Sequence, residues 1–434
     1  MHVIIAGNGI AGSTAAHLIS QGSDHHITMI SDEAEYPFAR TALMYVFMGH
    51  LRLEDTKLYQ DHFWAATGIK RINSRIVAAD THKQRLILAN GDEVSYDKLI
   101  IATGSRPKLP GIPGEKLDGV QGLYHLGDLD NMTHKNQSGI RHAVIAGGGL
   151  IGVEMAEMLH YAGVPVTMII REKSYWSNVL PSEESRIVTD HLAQKGIKLK
   201  TDEEISAICG TDGKVSSVIC KNSGEEVFCD FCGITIGVEP NINLFRTTNI
   251  KIGRGILVND YLETSCENVY AIGDCAELAT PSPGRRSVEA VWYAARAMGE
   301  TVAQTLCGKR SAYMPGIWLN SAKFFDVEYQ VYGDIPAFVP EGVTTLFWKH
   351  PAKARSIRIN FDSRSGAVLG FNLMGIRYRQ DVCLKWIQER TPITTVLENL
   401  HLANFDPEFF VRHETEAVRV FREWLSLNVT HITL

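Results

Sequence analysis

The hydrophobic and polar positions near the start of the chain follow the order strand, turn, helix, strand. Residues 2–6 (HVIIA) form a mostly apolar run, and residues 7–12 (GNGIAG) form a glycine-rich turn. Helical spacing begins at residue 13, and residues 27–30 (ITMI) supply another apolar run. Short buried runs bounded by glycine predict parallel strands, so this pattern predicts a βαβ unit.

The same pattern returns later in the chain. Residues 142–146 (HAVIA) lead into the turn 147–152 (GGGLIG), a helical stretch 153–159 and the apolar run 166–170 (VTMII). A single G-x-G-x-x-G is weak evidence, because glycine turns are common. Two copies, each between a strand and a helix, are strong evidence for two dinucleotide-binding units.

Each glycine of such a turn has its own physical role. The first permits the tight turn, the second lets backbone amides approach a pyrophosphate, and the third lets helix and strand pack closely. The pyrophosphate is then expected at the helix N-terminus, where unpaired N–H groups and the positive end of the dipole meet it.

The remaining patterns predict further strands and a change of architecture. Residues 90–92 (NGD) predict a hairpin turn, and residues 96–104 a buried strand that ends at glycine. Residues 107–114 are typical of a linker, and residues 269–274 (VYAIGD) predict another short strand. After residue 308, alternating strands and terminal helices indicate a separate α+β domain.

Composition restricts the class of protein. The chain has 434 residues, 45% hydrophobic and 21% charged, which is typical of a globular protein of two to three domains. A net charge of -6 gives no reason to expect a nucleic acid partner. We expect no membrane insertion, since no apolar run reaches the ~20 residues of a span. The chain enters a strand at once without a signal-peptide pattern, so a cytoplasmic location is expected.

The 8 cysteines are scattered and do not suggest a disulfide framework. Cys229 and Cys232 have the spacing of a redox dithiol, but the flanking apolar residues place both on one strand. Residues i and i+3 of a strand point to opposite faces, so we expect two buried thiols rather than a dithiol. No Cys/His cluster has zinc-site spacing, and no metal is predicted.

Four segments, in this order, resemble the pyridine nucleotide–disulfide oxidoreductase superfamily, and in particular its rubredoxin and ferredoxin reductases. They are residues 7–12, 102–104 (ATG), 147–152 and 271–274 (AIGD). The resemblance covers essentially residues 1–310. It implies a flavoprotein that binds FAD and NAD(P)H.

The resemblance also implies the binding residues. Those expected at FAD are Gly7, Gly9, Ile10, Ala11, Gly12, Glu33, Arg40, Ile76, Ala102, Thr103, Gly104, Arg106, Gly273, Asp274 and Trp292. Those expected at NAD(P)H are Gly147, Gly149, Leu150, Ile151, Gly152, Glu154, Arg171, Lys173 and Gly237. In the family, the acid equivalent to Asp274 contacts the ribityl–pyrophosphate part of FAD.

The acid that holds the FAD ribose is expected at the end of the second strand, because a carboxylate accepts both hydroxyl protons. Ser31 occupies the commonest acid position, and Glu33 is preferred over Asp32. Arg40 follows an aromatic residue, as the cation beside the flavin does in the resembling reductases.

Two positions are candidates for a catalytic role. The resembling reductases carry a lysine where this chain has Tyr45, and that lysine can pair with the glutamate equivalent to Glu154. Because this chain has Tyr45 at that position, it lacks the fixed cation. Simple packing of Tyr45 against the flavin remains an open alternative to a catalytic role.

Absent cysteines indicate how electrons leave the flavin. Disulfide reductases of the superfamily carry a redox cysteine pair near residue 45, and peroxide-reducing relatives carry a single cysteine. This chain has no cysteine before Cys209. We therefore predict direct transfer from reduced flavin without a catalytic disulfide.

The residues after the second fingerprint give mixed evidence on the coenzyme. The usual acid position for NADH is Ile170, followed by Arg171 and Lys173, which could bind a 2′-phosphate. Gly152 is more typical of NADH enzymes. The pattern favours NADPH, and a solvated strand end remains the alternative for the two cations.

A helix beginning near Ser287 matches the family helix whose N-terminus faces the flavin, where its dipole would stabilise negative charge. Trp292 is expected to cap the flavin ring, with a role in the core as the alternative.

The C-terminal region contains a basic stretch that could dock an acidic electron carrier. An ordinary solvated edge strand explains it equally well. Its residues are Lys349, Lys353, Arg355, Arg358 and Arg364.

These observations predict a glutathione-reductase-like α/β fold with two Rossmann-type dinucleotide-binding domains plus a C-terminal α+β domain. The FAD-binding domain is expected over residues 1–112 and 251–310, the NAD(P)H-binding domain over 113–250, and the C-terminal interface domain over 311–434. A C-terminal interface domain is compatible with a homodimer.

The predicted function is electron transfer from NAD(P)H through FAD to an acceptor, favoured as a small electron-transfer protein, rubredoxin or ferredoxin. One alternative is a reductase of a small molecule. Another is an FAD-binding interaction protein whose redox state controls partner binding, as in apoptosis-inducing factors.

Overall fold

The computed structural model describes residues 1–406, 408–409 and 411–429. The chain divides into two compact units. The first unit contains Met1–Lys108, Gly122–His134 and Gly237–Pro315. The second unit contains Leu109–Gln121, Lys135–Ile236 and Gly316–Leu434.

The strands are numbered in chain order. Those before residue 150 are β1 (His2–Ala6), β2 (His26–Ser31), β3 (Lys70–Asn73), β4 (Ile76–Asp80), β5 (Arg85–Leu88), β6 (Glu93–Ser95), β7 (Lys98–Ile101), β8 (Ser105–Pro107), β9 (Val120–Gln121) and β10 (Ala143–Ala146). Those between residues 150 and 280 are β11 (Val166–Ile169), β12 (Lys198–Lys200), β13 (Ile205–Thr211), β14 (Lys214–Cys220), β15 (Glu226–Phe228), β16 (Phe231–Ile234), β17 (Val238–Pro240), β18 (Ile256–Val258), β19 (Val269–Ala271) and β20 (Ala276–Leu278). The C-terminal strands are β21 (Leu319–Phe324), β22 (Val327–Gly333), β23 (Val343–Lys349), β24 (Ser356–Asp362) and β25 (Val368–Met374).

The α-helices are α1 (Ile10–Gly22), α2 (Leu43–Phe47), α3 (Asp61–Thr67), α4 (Leu126–Gln137), α5 (Leu150–Tyr161), α6 (Ser182–Gln194), α7 (Trp292–Leu306), α8 (Gln380–Gln388), α9 (Ile393–Asn399) and α10 (Glu414–Asn428). Short 3-10 helices cover Arg40–Ala42, Leu53–Thr56, Asn243–Thr247, Gly273–Cys275 and Leu400–Ala403. Across the described residues, none of the helices combines the length and apolar character that crossing a bilayer requires.

A parallel sheet of order β19-β7-β1-β2-β3 forms the centre of the first unit. Its apolar runs are buried on both faces, as expected for a parallel sheet, and Val3, Ile4 and Ile5 are fully buried. The carboxyl ends of β1, β7 and β19 therefore lie side by side at one edge of the sheet. A three-stranded antiparallel sheet, β4-β5-β6, completes the hairpin predicted at residues 90–92.

The second unit contains another parallel sheet, of order β12-β11-β10-β16-β9, and an antiparallel sheet, β13-β14-β15. Its C-terminal part is an antiparallel sheet of order β21-β22-β25-β24-β23, packed against α8, α9 and α10. Phe361, Phe371 and Phe421 lie in the core between this sheet and its helices. The predicted α/β fold class and the α+β region after residue 308 are confirmed.

The predicted start of the helix near Ser287 is wrong, because α7 begins at Trp292. The preceding segment has other partners. The carbonyl of Ser287 accepts the N–H of Leu278 at 2.8 Å, and Arg285 Nη2 donates to the Glu289 carboxylate at 2.7 Å. The Ser287 carbonyl is therefore bonded to β20 and not within a helix.

The expectation that Cys229 and Cys232 share one strand is also wrong. The N–H of Cys229 bonds to Ser216 O at 3.0 Å, whereas Cys232 lies in β16 and pairs with Val144. Between them the Asp230 carboxylate accepts the N–H of His142 at 3.0 Å, so the chain passes from one sheet to the next. Both cysteines are buried and free.

Arg358 does not belong to an exposed basic edge. It lies on β24, between β25 and β23, and is only 2% exposed. Its Nε donates to Glu184 Oε1 at 2.7 Å, and its Nη2 donates to Glu183 Oε2 at 2.8 Å. The other members of the predicted stretch, Lys349, Lys353 and Arg364, are exposed, while Arg355 is half-buried and bonded to His413.

Candidate functional site

The first fingerprint forms the turn between β1 and α1. Gly7 has φ +111°, and an added Cβ would overlap the carbonyl of Ala102 at the end of β7. Gly12 lies against the carbonyl of Gly7 in the same way. A Cβ built on Gly9 meets no described atom within 4 Å, so the open side of the turn lies at the N-terminus of α1. This is the arrangement that a pyrophosphate requires.

Glu33 and Arg40 were each predicted to contact FAD, and the structure brings them together. Arg40 Nη1 donates to Glu33 Oε1 at 2.9 Å, and Nη2 donates to Oε2 at 2.6 Å. The N–H of Leu126 donates to Glu33 Oε1 at 3.0 Å. Burial opposes ionisation of Glu33, but hydrogen bonds from His125 and Arg40 outweigh it and lower the pKa of Glu33 to about 2. Glu33 is therefore an anion.

Tyr124 contacts Arg40 and Ser105, which the sequence did not reveal. Its ring lies 4.7 Å from the Arg40 guanidinium, its carbonyl accepts a bond from Arg40 Nη1, and its hydroxyl accepts the N–H of Ser105 at 3.3 Å. Tyr124 precedes α4, far from both fingerprints in sequence. No motif marks this residue, so only the tertiary structure locates it.

Asp274 lies beside the first fingerprint, in the 3-10 helix that follows β19. The hydroxyl of Ser105 donates to Asp274 Oδ2 at 2.9 Å. Burial raises the pKa of Asp274, while the bond from Ser105 and the charge of Arg40 act in the opposite direction. Thr103 Oγ1 donates to Asn241 O at 2.7 Å, which fixes the end of β7 next to Asp274.

The positions of three other residues predicted at FAD, and of Tyr45, are as follows. Arg106 pairs with Glu239 across the β8–β17 ladder, with Nε 2.8 Å from Oε1. Ile76 begins β4 and packs against the core of the first unit. Trp292 is 39% exposed at the start of α7, with the Arg296 guanidinium 5.7 Å from its ring. Tyr45 is half-buried on α2.

The second fingerprint repeats this geometry in the second unit. Gly147 has φ +115°, and an added Cβ would overlap the carbonyl of Thr235. Gly149 is the N-cap of α5, and its Cβ position meets no described atom within 4 Å. Leu150 and Ile151 begin α5, and Gly152 packs beneath the turn. The predicted residue Gly237 belongs to the first unit, where its carbonyl accepts the N–H of Lys108.

The structure places a carboxylate beside the second fingerprint that the sequence pattern did not indicate. Ile170 is buried against Gly148, whereas Glu172 Oε2 lies 3.8 Å from a Cβ built on Gly148. Arg171 Nε donates to Glu172 Oε1 at 3.1 Å, and its side chain is 69% exposed. Lys173 is exposed. β11 ends at Ile169. The carboxylate beside the turn, Glu172, is therefore two residues beyond Ile170, the position at which an NADH enzyme is expected to carry its acid.

Glu154 lies on α5, and the pKa of its carboxyl is raised to about 7. Burial is the main cause and the charge of Glu157 adds to it, while Lys323 opposes the shift. Lys323 Nζ lies 2.8 Å from Glu157 Oε1. The cation is therefore paired with Glu157, and it offsets only part of the shift in the pKa of Glu154. Glu154 is therefore poised to exchange a proton near neutral pH.

Cys229 and Cys232 are buried thiols. Burial raises the pKa of Cys229 to about 12 and raises that of Cys232 further, so both thiols stay protonated. Among the described residues, no group of three or more His, Cys, Asp and Glu side chains is arranged to hold a metal ion.

Comparison with known proteins agrees with this architecture. The family model "Pyridine nucleotide-disulphide oxidoreductase" matches residues 1–299. The chain belongs to this family, whose members are FAD-dependent NAD(P)H oxidoreductases. The resemblance inferred from the four segments is therefore confirmed.

Individual relatives are reductases of small electron carriers by name. The chain is 30% identical to rhodocoxin reductase from Rhodococcus erythropolis over 75% of this chain and 76% of that protein. It is 29% identical to rubredoxin-NAD(+) reductase from Pseudomonas putida over 71% of this chain and 80% of that protein. The crystal structure of a ferredoxin reductase from Rhodopseudomonas palustris has the same fold, with a TM-score of 0.78, 24% identity, and coverage of 86% of this chain and 91% of that one.

Proposed function

We propose that this chain is an FAD-dependent reductase that takes electrons from NADH and delivers them to a small electron-transfer protein of the rubredoxin or ferredoxin type. The observation that carries the proposal is the pair of glycine fingerprints, each with its open side at a helix N-terminus. The names of the relatives support the acceptor class.

The first unit fits FAD. The turn at Gly9 leaves space for a pyrophosphate. Glu33 Oε2, which accepts one bond from Arg40, offers an anionic acceptor to a ribose hydroxyl. Asp274 is a half-buried carboxyl group that accepts a bond from Ser105. Bound FAD would supply the chemistry, accepting a hydride from the nicotinamide and giving up electrons to the acceptor.

The protein's contribution is binding and electrostatics. The N-terminus of α1 would stabilise the pyrophosphate charge, and Arg40 would place a cation beside the flavin. Glu33 holds Arg40 in place through the bidentate pair. Since no cysteine precedes Cys209, electrons pass to the acceptor without a thiol relay.

Glu172 is the reason for proposing NADH. The preference for NADPH inferred from the sequence depended on the lack of a carboxylate at the strand end, and Glu172 supplies one beside the turn. A carboxylate accepts bonds from a ribose 2′-hydroxyl and repels a 2′-phosphate. Arg171 points largely to solvent and pairs with Glu172.

The predicted domain division, with FAD at 1–112 and 251–310, the coenzyme at 113–250 and an interface domain from 311, remains part of this proposal. So does a cytoplasmic location, which is supported by the free state of all eight cysteines.

The experiment that tests the function is steady-state oxidation of NADH with oxidised rubredoxin and ferredoxin as acceptors. We expect carrier reduction to depend on both NADH and enzyme. If NADH and FAD bind but neither carrier is reduced, while a small-molecule acceptor is, the proposed acceptor class is wrong.

A further inference from the structure

Tyr175 connects the second fingerprint to the body of the second unit. Its side chain is fully buried, and its hydroxyl donates to the carbonyl oxygen of Gly149 at 3.0 Å. Burial raises the pKa of Tyr175 well above its ordinary value, so the hydroxyl keeps its proton and remains a donor. Gly149 is the second glycine of the fingerprint, the one at which backbone approaches a pyrophosphate.

The bond acts on a flexible point of the turn. Gly149 caps α5 with φ -83° and ψ -179°, and its carbonyl also accepts the N–H of Val153 at 3.2 Å. A glycine has many other backbone conformations available, and its side of the turn is open. The Tyr175 hydroxyl gives this carbonyl a second, rigid partner and so restricts those alternatives.

Tyr175 is itself held on three sides. Its N–H donates to Thr189 Oγ1 at 2.9 Å, and its carbonyl accepts Ser185 Oγ at 2.7 Å. Its ring meets Phe324 of β21 edge to face, with centroids 5.7 Å apart. Thr189 and Ser185 both lie on α6, so the residue is anchored to that helix and to the C-terminal sheet.

The C-terminal sheet also fixes α6. Glu184, next to Ser185, is fully buried and accepts two bonds from Arg358 of β24, at 2.7 Å and 2.9 Å. A continuous series of buried contacts therefore runs from Arg358 through Glu184 and α6 to Tyr175, and from there to Gly149.

We propose that Tyr175 is a positioning residue for the nicotinamide coenzyme, through which the C-terminal sheet holds Gly149 in the conformation that binds the pyrophosphate. The proposal rests on the proposed function, because it takes the second fingerprint as the NADH site. It gives the C-terminal sheet a role in coenzyme affinity. Pre-organised backbone lowers the cost of ordering on binding, so losing the hydroxyl should weaken affinity without altering the reacting groups.

The test compares Tyr175→Phe with Tyr378→Phe. Tyr378 is likewise fully buried, but its ring lies in the core between the C-terminal sheet and its helices. Two quantities are measured for each protein: the dissociation constant of NAD+ by calorimetry, and the limiting rate of flavin reduction at saturating NADH by stopped flow. Thermal midpoint and FAD content are recorded as controls.

For Tyr175→Phe we expect the dissociation constant to rise about three- to tenfold, the effect of one hydrogen bond, with the limiting rate and FAD content unchanged. Tyr378→Phe should leave the affinity as in the wild type. Equal affinity in Tyr175→Phe and the wild type overturns the inference. The inference is also overturned if both variants lose affinity for NAD+ and the loss in each follows the fall in its thermal midpoint.

Failure of the proposed function gives a different result. If the wild type binds NAD+ but NADH does not reduce its flavin, the proposed function fails while the affinity comparison still decides the role of Tyr175. If the wild type binds no nicotinamide dinucleotide, both fail.

Discussion

Glu33 and Arg40 form a bidentate ion pair, with their nitrogen and oxygen atoms 2.9 Å and 2.6 Å apart, next to the first glycine fingerprint. The two side chains are 15% and 33% exposed, so water screens the pair only in part. Each was predicted separately to contact FAD. Their pairing means that the anion expected at the ribose also orients the cation expected at the flavin.

We expect Glu33→Gln to bind FAD about ten- to a hundredfold more weakly, because a charge-assisted bond to ribose is lost and Arg40 loses its partner. The measurement is FAD affinity of the apoprotein by flavin fluorescence. Asp32→Asn is the matched control, since Asp32 is exposed and pairs with the exposed Arg75. Equal affinities of the two variants would contradict the assignment.

We expect Glu172→Gln to weaken NADH binding about tenfold while affecting NADPH little or favourably, because the lost anion accepts the 2′-hydroxyl and repels a 2′-phosphate. Stopped-flow reduction with both coenzymes measures this. Arg171→Ala should change NADH affinity only slightly, since that side chain is exposed. A selective loss of NADPH binding in Arg171→Ala would instead support the sequence-based preference for NADPH.

Glu154 predicts a pH dependence. Its pKa is raised to about 7, so the carboxyl is neutral below that pH and ionises as pH rises through it. An ionised Glu154 repels the anionic coenzyme, so the dissociation constant for NADH should increase a few-fold across pH 6 to 8, on the order expected for a partly screened charge.

Glu154→Gln should remove this dependence. Glu157→Gln should move its midpoint to lower pH, because a like charge beside Glu154 is removed and Lys323 is released. Identical pH profiles in all three proteins would show that Glu154 does not face the coenzyme.

Arg358→Ala should destabilise the protein by about 3–5 kcal/mol, because it leaves the fully buried Glu184 without its partner. Arg379→Ala is the control, since its pair with Asp381 is exposed and such pairs contribute about 0–1 kcal/mol. Urea unfolding measures both. A double change, Arg358→Met with Glu184→Leu, should recover much of the loss, and equal destabilisation by the two single variants would refute this role.

The sequence was sufficient for features that depend on local physics. Two G-x-G-x-x-G turns, between apolar runs and helices, predicted both βαβ units, and the structure shows Gly7 and Gly147 at φ values that favour glycine. The hairpin at residues 90–92 followed from its Asn-Gly-Asp turn in the same way.

The sequence was insufficient where distant segments meet. Tyr124 reaches Arg40 across 84 positions, and Arg358 reaches Glu184 across 174 positions, with no periodicity to indicate either contact. The Glu172 carboxylate was overlooked because the chain beyond β11 bends back towards Gly148. The helix expected from Ser287 was misplaced because the Ser287 carbonyl accepts the N–H of Leu278 and not one from a following turn of helix.

The most direct test of the account is an anaerobic two-step stopped-flow measurement on the wild type and on the double variant Cys229→Ser, Cys232→Ser. NADH is mixed with the FAD-loaded enzyme, and oxidised rubredoxin or ferredoxin is then added. We predict that NADH bleaches the flavin and that the carrier restores its colour at the same rate in both proteins. A flavin that NADH does not reduce, or a reduced flavin in the double variant that no longer passes electrons to the carrier, would contradict direct transfer from NADH through FAD to the carrier.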